Sequence, residues 1–88
     1  MSTQAAVLRT MAAVAAELEA EGAEIIGGRI GGISPPSHLH VSDYDLPAHI
    51  AARGEFLQKN GRHDEYGYTD RDVVVMWLVR KEQSDAQS

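Results

Sequence analysis

The sequence predicts a small α+β domain in which an N-terminal helix packs on an antiparallel sheet, in the order α-β-β-α-β-β. Two observations carry this prediction. Apolar residues recur with helical periodicity over positions 3–21, and they form an uninterrupted run within positions 72–81, as in a strand that is buried on both faces. Because the chain has only 88 residues, we expect residues 1–81 to form one domain, followed by a disordered tail at 82–88.

The first helix is expected over residues 3–21. Ser2 or Thr3 can cap its N-terminus, because a side-chain oxygen there accepts a hydrogen bond from a free backbone N–H group. Gly22 is predicted to end the helix, because glycine readily adopts the left-handed conformation. The apolar face of this helix is formed by Val7, Leu8, Met11, Val14, Ala15 and Leu18.

Two strands and a short helix are expected next. The first strand, over residues 24–33, is rich in glycine, which marks a bulge or a close approach of the helix to the sheet. The second strand, over residues 38–42, should direct Leu39 and Val41 into the core. A short helix over residues 47–53 should follow, with a proline in its first turn.

Residues 55–60 have two interpretations. They can extend the second helix as far as Asn60-Gly61, or they can form a strand that enters a type I′ hairpin turn at Asn60-Gly61. The hairpin is favoured because Asn-Gly is the strongest short hairpin signal, and a strand over 62–68 would then follow. The last strand, over 72–81, is apolar on both faces and is therefore predicted to be central.

Composition limits the classes of function. The chain carries 13 acidic and 8 basic residues, a net charge of −5. Proteins that bind nucleic acid directly usually carry a basic surplus, so direct binding to DNA or RNA is not expected. The chain has no cysteine and no apolar run long enough to span a bilayer, which favours a cytoplasmic location without a membrane anchor.

Candidate reactive groups are few. His38 and His40 lie two residues apart on a predicted strand, so both imidazoles point to one face, and His49, Asp43 or Asp45 can supply a third metal ligand. Histidines on a solvent-facing strand explain the same pattern, and no HExxH motif supports a metal site. The sequence also lacks a nucleotide-binding loop and a nucleophile motif, so we predict no cofactor, no metal and no enzymatic activity.

Acidic residues at the end of the first helix are more informative. Glu17 and Glu21 lie in its last turns and Glu24 lies just beyond, although the helix dipole disfavours negative charge there. Such a conflict with local rules is typical of functional sites, so these three residues are predicted to contact a basic surface of a partner. The alternative is that the acids only maintain solubility or pair with Arg29, Arg53 or Arg80.

A second acidic group is predicted to add to this contact. Asp64, Glu65 and Asp70, together with Asp72, flank Tyr66 and Tyr68, and tyrosines among charged residues are typical of interaction surfaces. Tyrosine pairs across neighbouring strands of a small sheet explain the same pattern.

The layout also resembles a known group of proteins. An alanine-rich helix, a glycine-rich strand, a proline-containing turn and a last strand containing Val75-Met76-Trp77 resemble the small proteins of phages and prophages, which include many anti-CRISPR proteins. The resemblance covers residues 3–80 in outline. It implies a non-enzymatic inhibitor that mimics DNA and occupies the basic, nucleic-acid-binding surface of a host protein or ribonucleoprotein complex.

Two other functions stay open. A sheet edge or the alanine-rich helix can self-associate, which would indicate a structural or assembly protein and allows a homodimer. A metal-binding protein or hydrolase based on the histidines is the more remote alternative.

Overall fold

Two helices and five strands form the part of the chain that the computed structural model describes, residues 3–31 and 36–80. These elements are α1 (Gln4–Ala20), β1 (Ile25–Arg29), β2 (Ser37–Val41), α2 (Ala48–Ala51), β3 (Glu55–Asn60), β4 (His63–Asp70) and β5 (Val73–Arg80). The predicted α+β class with an N-terminal helix on a sheet is confirmed. The order is α-β-β-α-β-β-β, which differs from the stated order α-β-β-α-β-β by the strand over Glu55–Asn60, one of the two interpretations of that segment. The tail predicted at 82–88 and the first part of the proline-containing turn lie outside the described residues.

The five strands form one mixed sheet in the order β1-β2-β5-β4-β3. The β1–β2, β5–β4 and β4–β3 pairs are antiparallel, whereas β2 and β5 are parallel. The prediction of a wholly antiparallel sheet is therefore wrong. The connection through α2 lets β3 start in the same direction as β2, and the meander β3-β4-β5 then returns β5 beside β2 in that direction.

The helix α1 begins and ends as predicted. Thr3 is its N-cap, and its hydroxyl oxygen accepts a hydrogen bond of 3.1 Å from the backbone N–H of Ala6. Gly22, just past the last turn, has a φ of +102°, a conformation that glycine adopts without strain. In the described residues, no helix is long and apolar enough to cross a membrane.

The core lies between the two helices and one face of the sheet, here called the covered face. Leu39 and Val41 are 5% and 0% exposed, so their predicted inward direction is confirmed. The strand β5 is central, as predicted, and sends alternate residues to the covered face and to the opposite, open face. The buried cluster contains Met11, Val14, Leu18, Ala23, Leu39, Val41, Ile50, Val73, Val75 and Trp77.

The strand β1 departs from simple alternation because it contains a bulge between Ile25 and Gly27. Ile25 and Gly28 consequently lie on the covered face, with one additional residue between them. A Cβ atom on Gly28 would lie 3.6 Å from Met11 Cε. This glycine therefore allows α1 to approach the sheet closely, as the glycine-rich sequence indicated.

The hairpin predicted at Asn60-Gly61 is confirmed, but its turn differs. Asn60 pairs with His63, so the two-residue loop is Gly61-Arg62. Gly61, with a φ of +64°, occupies the first position of this loop, and Arg62 does not share its positive φ. That pattern indicates a type II′ turn in place of the predicted type I′ turn.

Candidate partner-binding surface

The C-terminal end of α1 is where three other segments of the chain meet. The backbone N–H of Ser42 donates a 2.8 Å hydrogen bond to the carbonyl oxygen of Glu24, which joins the end of β2 to the segment after α1. Arg53, just after α2, and Arg71, in the β4–β5 turn, donate hydrogen bonds to acidic residues of α1 and its C-cap. We call the acids gathered here the acidic end: Glu17, Glu19, Glu21, Glu24, Asp43, Asp45, Asp70 and Asp72.

Arg71 links the β4–β5 turn to α1. Its guanidinium donates to both carboxylate oxygens of Glu17, with 3.1 Å between Nη1 and Oε2, and its Nε donates to Asp70 Oδ1 at 3.0 Å. The hydrogen bond from Arg71 lowers the pKa of Asp70, and the same contacts raise the pKa of Arg71. One arginine thus holds two carboxylates from distant parts of the sequence.

The backbone that presents Arg71 is strained. Arg71 and Asp72 have φ values of +52° and +67°, so both central residues of this two-residue turn are left-handed. Such a type I′ turn usually contains Asn and Gly, and each other residue in this conformation costs about 1–2 kcal/mol. The contacts of Arg71 with Glu17 and Asp70 help to offset that cost.

Arg53 makes the second link. Its guanidinium donates to Glu21 Oε2 at 3.3 Å and to the Tyr68 hydroxyl at 3.4 Å, and it lies 5.9 Å from the centre of the Tyr68 ring. The Tyr68 hydroxyl first and Glu21 second raise the pKa of Arg53. His49 Nε2 lies 3.6 Å from the other carboxylate oxygen of Glu21. The basic residues therefore surround Glu21 on its α2 side.

These contacts test the alternative that the acids of α1 pair with arginines of the same chain. Pairing of one of them with Arg53 is confirmed, and pairing with Arg71 is a contact that the sequence did not indicate. No local pattern places a turn residue beside a helix that precedes it by more than fifty positions. The unfavourable position of Glu17 and Glu21 in the helix dipole is thus compensated by two arginines.

Other acids of this end have no such compensation. Glu19 and Glu24 are exposed, and among the described residues no Lys, Arg or His nitrogen lies within 4.0 Å of either carboxylate. The predicted contact residues Glu17, Glu21 and Glu24 therefore lie near one another but differ in state. Glu17 and Glu21 are held by arginines, whereas the carboxylate of Glu24 is available to a partner.

The second predicted acidic group does not form one surface. Glu65 is 9% exposed, lies on the open face and accepts a 3.1 Å hydrogen bond from Gln58 Nε2. Asp64 lies on the covered face opposite Lys59, because neighbouring residues of β4 alternate between faces. Asp70 belongs to the acidic end. Partner contacts at these residues stay a prediction.

The two histidines of β2 lie on the open face, as the spacing predicted. His38 and His40 are opposite Val74 and Met76 of β5, and His38 Nδ1 lies 2.8 Å from the carbonyl oxygen of Pro36. Within residues 3–31 and 36–80, no group of three potential metal ligands is found. The geometry therefore does not bring His49, Asp43 or Asp45 to the histidine pair.

Comparison of the chain with protein-family models, with curated proteins and with solved structures finds no match. The implied relation to small phage proteins therefore stays a prediction.

Proposed function

We propose that this chain is a non-enzymatic binding protein whose acidic end occupies a basic surface of another protein. The observation that supports the proposal is the segregation of charge. The segments that meet at the acidic end carry eight acidic residues and two arginines, a surplus of six negative charges, which exceeds the net charge of −5 of the whole chain. The other described charges are mostly positive: Arg9, Arg29, Lys59, Arg62 and Arg80, against Glu55, Asp64 and Glu65.

The chemistry of such a surface favours a partner that holds nucleic acid. A protein that binds DNA or RNA arranges Lys and Arg side chains to neutralise phosphates, and carboxylates on a folded scaffold offer the same charge. Arg53 and Arg71 fix the carboxylates of Glu21 and Glu17 in place, which reduces the entropy that these side chains lose on binding. Binding would then exclude nucleic acid from the partner, and the chain would act as an inhibitor.

This role is the one that a resemblance to anti-CRISPR proteins implies, with a host protein or ribonucleoprotein complex as the target. Electrostatic complementarity of this kind mainly accelerates association and selects the partner. We therefore expect binding to weaken strongly as ionic strength rises.

The test removes negative charge from residues of the acidic end that make no contact with an arginine. Glu19 and Glu24 are exposed and outside the arginine contacts, so the double variant E19Q/E24Q should change the free energy of unfolding by no more than about 0.5 kcal/mol. Reversal of Glu17 or Glu21 is less suitable, because it would set a positive charge against Arg71 or Arg53. The matched control is E55Q, which removes an exposed carboxylate from β3.

The assay is capture from nuclease-treated cell lysate on the immobilised protein, with the bound proteins quantified by mass spectrometry. The wild type and E55Q should capture the same nucleic-acid-binding protein, and added DNA or RNA should release it. E19Q/E24Q should bind it about 2- to 30-fold more weakly, if each exposed charge pair contributes about 0.2–1 kcal/mol. Equal capture by all three proteins would contradict the proposal.

A further inference from the structure

The strand β3 is an exposed edge of the sheet. All six of its residues are exposed, and in the described part of the chain β4 is its only neighbouring strand. Phe56 and Leu57 leave 51% and 40% of their surface accessible. An edge of this kind presents free backbone N–H and C=O groups that another strand can pair with.

A bulge between Phe56 and Gln58 determines which face each residue of β3 occupies. Phe56 lies on the covered face, where its ring meets the edge of Tyr66 at 5.9 Å between centroids. Gln58 lies on the open face, where it donates to Glu65. The two residues are two positions apart but lie on opposite faces, because the bulge adds one residue between them.

The other four residues follow from their neighbours in β4. Leu57 Cδ1 would lie 3.1 Å from a Cβ atom on Gly67, which points to the open face, so Leu57 also lies on that face. Glu55 is opposite Gly67, Lys59 is opposite Asp64 and Asn60 is opposite His63. Glu55 and Asn60 therefore lie on the open face, and Lys59 lies on the covered face.

Along β3 the faces consequently run open, covered, open, open, covered, open, an order that reads the same from either end. In an antiparallel pair, residues directly opposite each other must lie on the same face. A regular strand of six residues cannot meet this condition along its whole length when it pairs with its own copy. The bulge at Leu57 allows β3 to meet it.

We propose that β3 pairs antiparallel with β3 of a second copy, about a two-fold axis between Leu57 and Gln58, to form a continuous ten-stranded sheet. In this register Glu55 is opposite Asn60, Phe56 is opposite Lys59, and Leu57 is opposite Gln58 of the second copy. A foreign peptide can also pair with an edge strand, but the self-matching order of faces is a property that only a second copy shares.

The side chains are compatible with this register. No two like charges are opposite each other, and the aliphatic part of Lys59 can cover the exposed ring of Phe56 while its ammonium group lies near the ring face. The interface is the same patch on both copies, so it closes at two chains and leaves no free β3. None of the six residues belongs to the acidic end, so the dimer does not depend on the proposed function.

The first test is the mass in solution together with engineered cysteines. Light scattering after size exclusion should give twice the mass of the 9.6 kDa chain, and the chain has no cysteine of its own. In the proposed register the Cα atoms of the two copies of residue 57 lie about 6 Å apart, within reach of a disulfide, whereas those of residue 60 lie about 17 Å apart. Under mild oxidation L57C should form a covalent dimer and N60C should not.

The second test uses charge at one opposed pair. F56K sets two lysines opposite each other twice per dimer and should weaken dimerisation at least tenfold. K59E places a carboxylate opposite the lysine that F56K introduces, so a mixture of the F56K and K59E chains should form a heterodimer, whereas F56K alone should stay monomeric. Circular dichroism should show that both variants remain folded, and F56K should still capture the partner of the acidic end.

A wild type that stays monomeric at high concentration would overturn the inference. A dimer in which L57C and N60C link equally, or in which F56K changes nothing, would also overturn it, because the contact would then lie elsewhere. If E19Q/E24Q loses the partner but still forms the dimer, the result bears on the proposed function of the acidic end and leaves the dimer inference unchanged.

Discussion

The packing of α2 on the sheet predicts a large effect of a single methyl group at Gly54. This residue follows α2, and a Cβ atom there would overlap Cζ2 and Cη2 of Trp77. Trp77 is 3% exposed and its ring also packs against Tyr68, 6.3 Å away between centroids. Because the buried ring must shift to admit the new methyl group, Gly54→Ala should destabilise the fold by about 1–3 kcal/mol.

Thermal unfolding followed by circular dichroism measures this effect. For a domain of this size about 1 kcal/mol shifts Tm by 4–8 °C, so a loss of about 2 kcal/mol should lower Tm by about 8–16 °C. The matched control is Gly27→Ala, because the nearest atom to its new Cβ would be His40 Cβ at 4.0 Å. The control should change stability by less than about 1 kcal/mol. Equal Tm values for the two variants would refute the described close approach of Gly54 to the Trp77 ring.

Three further predictions concern local structure. Asp72→Gly should raise the free energy of unfolding in urea by up to about 1 kcal/mol, because it relieves a positive φ; a decrease would argue against strain there. Arg71 lowers the pKa of Asp70, so this carboxylate stabilises the fold above its unfolded pKa of about 3.9, and the benefit is lost as pH falls through the folded pKa. Asp70→Asn should therefore lose less stability than the wild type between about pH 5 and pH 2, and identical pH profiles would contradict the Arg71 contact. Thr3→Ala should cost about 1 kcal/mol by removing the hydrogen bond to Ala6, and an unchanged Tm would show that the cap is dispensable.

Features that depend on local pattern could be predicted from the sequence. The helix α1 was placed within one residue at each end because its apolar spacing, Thr3 and Gly22 all act on neighbouring residues. The central position of β5 followed from its apolar residues on both faces, and the β3–β4 hairpin followed from Asn60-Gly61. In each case the residues that specify the feature lie within the element or next to it.

Features that depend on distant residues could not be predicted. The parallel pairing of β2 with β5 depends on the path of the chain through α2, which no strand pattern encodes. The bulges in β1 and β3 shift residues to the other face, although the sequence offers only a glycine hint in β1 and none in β3. The contact of Arg71 with Glu17 could not be predicted either, because the two residues lie far apart in the sequence.

The acidic end has some features that could be predicted from the sequence and others that depend on the fold. The surplus of acids and their position at the end of α1 were visible in the sequence, including Glu17, Glu21 and Glu24. The approach of the segment after β2, which carries Asp43 and Asp45, to that end was not visible, because it requires the fold. Separation of Asp64 and Glu65 onto opposite faces follows from strand alternation and could have been anticipated once β4 was assigned.

The most direct test of the proposed function is the salt dependence of binding to the captured partner. The dissociation constant should be measured between about 50 and 300 mM salt for the wild type, E19Q/E24Q and E55Q. If the acidic end forms the contact, affinity of the wild type and E55Q should fall steeply with salt, and E19Q/E24Q should give a weaker affinity with a shallower slope. The same slope for all three proteins would contradict the claim that this end binds the partner.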